Sequence, residues 1–226
     1  STSVVAAFFT AVSAVCITGL TVVDTATHWS GFGQLVIMVL IQLGGLGIVS
    51  FATLLGLLIS GRISLRDRLN TLSEAKIVGA DSLPKLLSRI LIVYFGFELV
   101  LATYLSLRLH FSYDEGVFQS IWHGTFHAIS AFNNGGFSLY TDSMTGFNQD
   151  MFFIAPVMLA VVVGGLGFPV LIELHERIWR LRLQPGGKAK RFSLHTRLTL
   201  WMTVSLIVLG ALFIGAIEWN NPGTLG

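Results

Sequence analysis

Long uncharged runs alternate along the chain with short basic ones. No Asp, Glu, Lys or Arg occurs from Ser1 to Val23, Thr25 to Gly61, Gly116 to Thr141, Met151 to Ile172 or Leu198 to Ile217. The run from Ile90 to Leu107 is interrupted only by Glu98. About 20 apolar residues in a helix span a bilayer core. The runs therefore predict four transmembrane helices, over about 33–60, 87–110, 150–176 and 196–218. The first is long for an upright span and implies tilt or extension past the hydrocarbon.

The basic residues give these spans a direction. Of 14 Lys and Arg, six lie between Arg62 and Arg89 and seven between Arg177 and Arg197; only Arg108 lies elsewhere. Four spans leave two loops on one side, and those loops are the two basic windows. The positive-inside bias makes them cytoplasmic and puts 1–32 and 111–149 outside. Yet the outer segments are not polar. Ser1–Val15 and Val117–Phe132 are apolar or aromatic, and a glycine and a polar return follow each. Fifteen helical residues cover only ~22 Å, too little to cross and come back. Each segment predicts a half-helix that dips into the membrane and an extended return, which is tolerated only where it lines a cavity or is buried in protein.

Composition narrows the class. The chain is 53% hydrophobic and 12% charged, against about 25% charged in soluble domains. This excludes disorder and predicts an integral membrane protein. A net charge of +2 gives no field for a nucleic-acid binder. The single cysteine can form neither an internal disulfide nor a thiolate metal site.

The chain also repeats itself. Phe9–Leu20 (FTAVSAVCITGL) aligns without a gap on Phe126–Phe137 (FHAISAFNNGGF), with Phe9/Phe126, Ala11/Ala128, Ser13/Ser130, Ala14/Ala131 and Gly19/Gly136 identical. Downstream, Gly44-Gly45-Leu46-Gly47 matches Gly164-Gly165-Leu166-Gly167. Two ordered matches at nearly equal offsets describe a duplicated membrane module: helix, re-entrant loop, helix. The fold expected is all-α and integral to the membrane, with about one and a half to two of four such modules present. Residues 1–60 form the end of a first module and 61–86 a cytoplasmic linker. Residues 87–182 form a complete second module, and 183–226 a linker and the first helix of a third. On this reading the chain is a piece cut at both ends.

A half-helix pointing inward leaves its C-terminal end, with about −0.5 of an elementary charge, near the membrane centre. There it attracts cations, and the carbonyls of the following turn can replace the hydration shell of an alkali ion. Cys16, Ile17, Thr18 and Gly19 in the first turn, and Asn133, Asn134, Gly135 and Gly136 in the second, are the candidate carbonyl ladders. Gly19 and Gly136 suit a turn that needs positive φ. No carboxylate lies in either turn, which disfavours a divalent-cation filter. Asp24 and Asp142 follow, and two readings stand: outer-mouth residues that concentrate cations, or ordinary turn and cap residues.

These segments resemble the Trk/Ktr/HKT superfamily of potassium transporters. The likeness is carried by TAVSAVCITGLTVVDT at Thr10–Thr25, by FHAISAFNNGGF at Phe126–Phe137 and by the two GGLG spans, and it covers essentially the whole chain. It implies four helix–pore loop–helix modules around one pore, filter glycines at Gly19 and Gly136, and K⁺ as the ion, with Na⁺ or H⁺ as possible coupling ions. Two filter strands, a gating loop and a basic pore residue of such proteins have no counterpart in this sequence. The resemblance further implies a homodimer in a bacterial cell membrane, in contact with lipid. It also implies a cytosolic nucleotide-binding regulatory ring docked on the basic face. The sequence has no GxGxxG fingerprint of its own.

Other residues carry alternatives. Gly44, Gly45, Gly47, Gly164, Gly165 and Gly167 are close-packing positions or hinges. Pro169 is placed to kink the third span. Glu98, an ionisable group within a span, is a functional candidate or the partner of a polar group on a neighbouring helix. Glu173 is expected to face water at the inner edge. His123 and His127 share a helix face but lack the Glu of HExxH, so they are read as polar anchors. Trp29, Trp122 and Trp219 fit interfacial positions. Two other functions compete with K⁺ uptake: a metal-dependent membrane hydrolase using His123, His127 and Glu98, and a non-conducting scaffold.

Overall fold

The computed structural model describes residues 3–47, 83–183 and 192–221. Among them every regular element is helical. In chain order these are α1 (Val4–Val15), α2 (Thr25–His28), α3 (Gly31–Gly45), α4 (Leu83–Tyr113), α5 (Val117–Phe132), a 3₁₀ turn (Thr145–Phe147), α6 (Met151–Gly165), α7 (Phe168–Leu183) and α8 (Leu194–Glu218). Helix starts follow from capping side chains that take otherwise unpaired N–H groups. Ser3 caps α1, Asp24 caps α2, Ser30 caps α3 and Ser193 caps α8. The Asp150 carboxylate accepts from Phe152 N and Phe153 N at 3.0 and 3.3 Å, at the start of α6.

Among the described residues, two helices are long and apolar enough to cross a membrane, over Leu91–Tyr113 and Leu194–Glu218. The first overlaps the expected second span, 87–110, and the second contains the expected fourth, 196–218. The expected first span is helical from Gly31 to Gly45 and then leaves the described residues; 48–82, with most of the first linker, lie outside them. The expected third span, 150–176, is not one continuous helix. It ends at Gly165 and restarts at Phe168. Gly167, at φ 81°, occupies the left-handed region, and Pro169 in the first turn of α7 has no N–H to continue the ladder. Gly47 ends α3 with the same conformation, at φ 77°.

The chain forms two compact units, 1–165 and 166–226. In the first, α4 packs along α5, α5 along α6 and α1 along α3, and α3 also meets α5. Its core gathers Ala14 of α1, Ile37 and Ile41 of α3, Phe126 of α5, and Phe137 and Leu139 of the segment after α5. Both halves of the sequence repeat thus contribute to one apolar core. In the second unit, Glu173, expected to face water, is half-buried and bonded to the start of α8. Its carboxylate accepts from Ser193 N and Ser193 Oγ, both at 2.7 Å, and from Thr196 Oγ1, which fastens the start of α8 to α7. A serine and a threonine at a helix start offer three donors, and this outweighs solvation of an edge carboxylate.

Pro156 lies inside α6 and leaves the Phe152 carbonyl without its helical donor. The Tyr104 hydroxyl of α4 donates to that carbonyl at 2.9 Å. In an apolar setting this replaces a bond the helix cannot make. Tyr104→Phe is expected to lower the Tm of the detergent-purified full-length protein by about 2–4 °C. In a Pro156→Ala background, where residue 156 regains its N–H, the same change is expected to have little effect. Equal losses in both backgrounds would contradict this pairing.

Candidate functional site

The site begins at the C-terminal ends of α1 and α5. The α5 end is buried, at Phe132 and Asn133, whereas at the α1 end Val15 is half-buried and Cys16 exposed; at both, the last carbonyls are left without helical donors. The chain solves this the same way twice. After Val15, Ile17 N donates to Ala14 O at 3.3 Å and Thr18 N to Ser13 O at 2.9 Å. After Phe132, Asn134 N donates to Ala131 O at 3.1 Å and Gly135 N to Ser130 O at 2.7 Å. This is the Schellman arrangement, in which one residue in the left-handed region reverses the chain. That residue is Ile17 (φ 56°) in the first turn and Asn134 (φ 57°) in the second. Asn tolerates this conformation; a β-branched Ile adopts it seldom. Two residues on, Gly19 and Gly136 also have positive φ, 74° and 72°.

The two turns meet at these glycines. A Cβ on Gly19 would lie 3.0 Å from Gly136 Cα and 3.1 Å from Gly135 O, and one on Gly136 would lie 2.9 Å from Gly19 Cα. Neither position can accept a side chain, on conformation or on space.

The paired glycines of α3 and α6 lie under the turns. A Cβ on Gly44 would run into the Val15 carbonyl, and one on Gly164 into the Phe132 carbonyl. Helices α3 and α6 thus press bare backbone on the last residues of α1 and α5 respectively. A Cβ on Gly45 would meet the Asn133 side-chain oxygen, whereas one on Gly165 would have only Asn134 Nδ2 at 3.8 Å as its nearest neighbour.

Beyond this shared frame the two turns differ. In the second, two consecutive asparagines fasten the turn to the helices on either side. Asn133 Nδ2 donates to Glu98 Oε1 of α4 and to Ile129 O, both at 2.8 Å, and its Oδ1 accepts from the Tyr94 hydroxyl. In the orientation that satisfies its neighbours, the Asn134 amide donates to Val161 O at 3.1 Å and accepts from Gly165 N at 3.3 Å, both on α6. The returning strand is fixed as well. The Ser130 hydroxyl donates to Phe137 O at 2.7 Å and accepts from Phe137 N at 3.0 Å. Leu139 N donates to His127 Nε2 at 3.2 Å, so the His127 proton sits on Nδ1 and goes to His123 O at 2.7 Å. At the first turn, Cys16 and Ile17 offer no such side chains, and the Thr10 and Ser13 hydroxyls are buried without a partner.

The remaining expected residues fall around this frame. Asp24 caps α2 by accepting from Ala26 N at 2.8 Å. Asp142 is exposed, and its backbone carbonyl accepts from Thr145 N at 3.1 Å. His123 contacts the Glu115 carboxylate at 3.1 Å and the Tyr140 hydroxyl at 3.2 Å. Burial first, then the hydrogen bond and charge of Glu115, hold the Tyr140 phenol above its ordinary value of 10.0, so it remains a donor. Trp122 is tied to α3, with Nε1 donating to Gln34 Oε1 at 2.9 Å. His123, His127 and Glu98 do not converge. Both His127 nitrogens are engaged, Glu98 faces Gln42 and Asn133, and no group of three or more metal-ligating side chains occurs among the described residues.

The glycine contacts yield a contrast. Gly164→Ala is expected to destabilise the full-length protein by about 1–3 kcal/mol, while Gly165→Ala, with room for a methyl, is expected to cost much less. Thermal unfolding in detergent measures both, and equal costs would contradict the packing described.

Comparison with known proteins places the chain among cation transport proteins. The TrkH family, described as "Cation transport protein", matches residues 1–219. Ktr system potassium uptake protein B of Bacillus subtilis (strain 168) is 39% identical over 225 residues, 97% of this chain and 47% of that protein. Ktr system potassium uptake protein D of the same strain is 35% identical, over 95% of this chain and 46% of that protein. Potassium/sodium uptake protein NtpJ of Enterococcus hirae is 33% identical, over 100% of this chain and 47% of that protein. The chain spans about half the length of the curated relatives it matches. It belongs to the TrkH family of cation transport proteins.

Proposed function

We propose that this chain forms part of a membrane pore for potassium uptake, in which the turns 16–19 and 133–136 are two strands of a filter made of backbone carbonyls. One observation carries the reading: α1 and α5 end with the same reversal, and their turns meet at positive-φ glycines. Such an end combines a partial negative charge with carbonyls held off the helix axis. A dehydrated monovalent cation is the natural ligand of that combination. The names of the relatives, potassium uptake and potassium/sodium uptake, support K⁺ as the ion.

On this reading the segments 1–20 and 117–139 are re-entrant, and the modules are 1–60, 87–182 and the start of a third within 183–226. Asp24 and Asp142 lie towards the outer mouth, and the basic windows face the cytoplasm, where a regulatory ring would dock. A homodimer in the bacterial inner membrane belongs to the same proposal, on the strength of the family resemblance.

Rubidium uptake into proteoliposomes by the full-length protein, with Na⁺ as competitor, tests the filter. Gly19→Ser and Gly136→Ser place a side chain where conformation and space both forbid one, at a cost of order 1–3 kcal/mol. Each is expected to reduce the preference for Rb⁺ over Na⁺ by about tenfold. Wild-type preference in both variants would remove the filter assignment.

A further inference from the structure

Glu98 lies in the middle of α4, within the span Leu91–Tyr113, and is 5% exposed. A bare carboxylate at such a place is costly unless it is well bonded. Its contacts are amides: Gln42 Nε2 at 3.1 Å from Oε1 and 2.8 Å from Oε2, and Asn133 Nδ2 at 2.8 Å from Oε1. Among the described residues no Lys, Arg or His contacts it. The two amides come from different copies of the repeat. Gln42 is on the inner helix of the first, one turn before Gly45 and Leu46. Asn133 is the residue at which α5 ends and the second turn begins. Asn133 is held from its other side by Tyr94, one helical turn before Glu98 on the same helix. Glu98 therefore joins the first repeat to the second at the level of the turn. The first turn has no equivalent clamp, because Cys16 stands where Asn133 does.

We propose that Glu98 is a positioning residue for ion selection. Through the Asn133 side chain it fixes where the second turn's carbonyls stand, and hence how strongly they prefer K⁺ to Na⁺. This deepens the filter reading above and rests on it. The carboxylate acts as an acceptor of two amides at once, so what it supplies is geometry and not charge for the ion. Gln can meet the same demand. Its carbonyl oxygen accepts from Asn133, and its amide can donate to Gln42 Oε1, which is buried without a partner, once the Gln42 amide turns over. Ala cannot meet it, and leaves two buried amides unpaired. Asn133→Asp turns a donor into a second carboxylate facing Glu98, and Glu98→Gln then restores a donor–acceptor pair.

The full-length protein in proteoliposomes, assayed for rubidium uptake against Na⁺, decides the matter. Glu98→Ala and Asn133→Asp are each expected to lower the Rb⁺ over Na⁺ preference by about tenfold, and Glu98→Gln by less than about threefold. The double variant Glu98→Gln/Asn133→Asp is expected to recover the preference lost by Asn133→Asp alone, a rescue that general destabilisation does not produce. If Glu98→Gln is as impaired as Glu98→Ala, the charge and not the geometry matters, and the proposal falls. It falls equally if the double variant shows no recovery. Gly136→Ser in the same assay separates the two readings. If Gly136→Ser loses selectivity while Glu98→Ala and Asn133→Asp keep it, the filter stands and the positioning role fails. If Gly136→Ser also keeps it, the filter reading itself fails.

Discussion

A helix that stops inside a protein must leave its last carbonyls without helical donors. That constraint shapes the first unit of this structure. Two helices, α1 and α5, each end by the same pair of backwards hydrogen bonds around a left-handed residue. The bonds satisfy two carbonyls and reverse the chain within three residues. They also set the next residues at the end of an aligned set of peptide dipoles. In our proposal, the carbonyl oxygens of those residues are what a cation meets.

Neighbouring elements make sense as supports for that turn. The inner helices α3 and α6 come close enough to touch the half-helix ends because each has a glycine where any Cβ would strike a carbonyl. The second turn gains polar fastenings from Asn133 and Asn134 on two sides, and its return strand is held by Ser130 and His127. The first turn has the same backbone without these fastenings, and its Thr10 and Ser13 hydroxyls are buried without partners. Equal backbones on unequal side chains mark a duplication whose copies have diverged.

Much of this was legible in the residues. The alignment of Phe9–Leu20 with Phe126–Phe137 located both turns, and the glycine at the same place in each pointed to positive φ. Half-helix lengths followed from the uncharged runs and the following polar returns. Three things were not legible. The left-handed conformation at Ile17 has no signal, because β-branched residues rarely adopt it; only its equivalence to Asn134 reveals it. The interruption of the third span was expected only as a kink at Pro169; that the helix stops at Gly165 and Gly167 turns left-handed was not, since hydropathy does not register φ. The carboxylate contacts of Glu98 and Glu173 depend on amides and hydroxyls from distant parts of the chain, which periodicity does not record. Membership in the family was legible from the turn motifs, whereas the site's hydrogen bonds required coordinates.

The central claim is that the two turns offer their backbone oxygens to a monovalent cation. Anomalous scattering from crystals of the full-length protein grown in rubidium or thallium salts tests it most directly. The account predicts a peak within coordination distance of the carbonyls of residues 16–19 and 133–136. A peak confined to other carbonyls or to carboxylates, with none beside these turns, would contradict it.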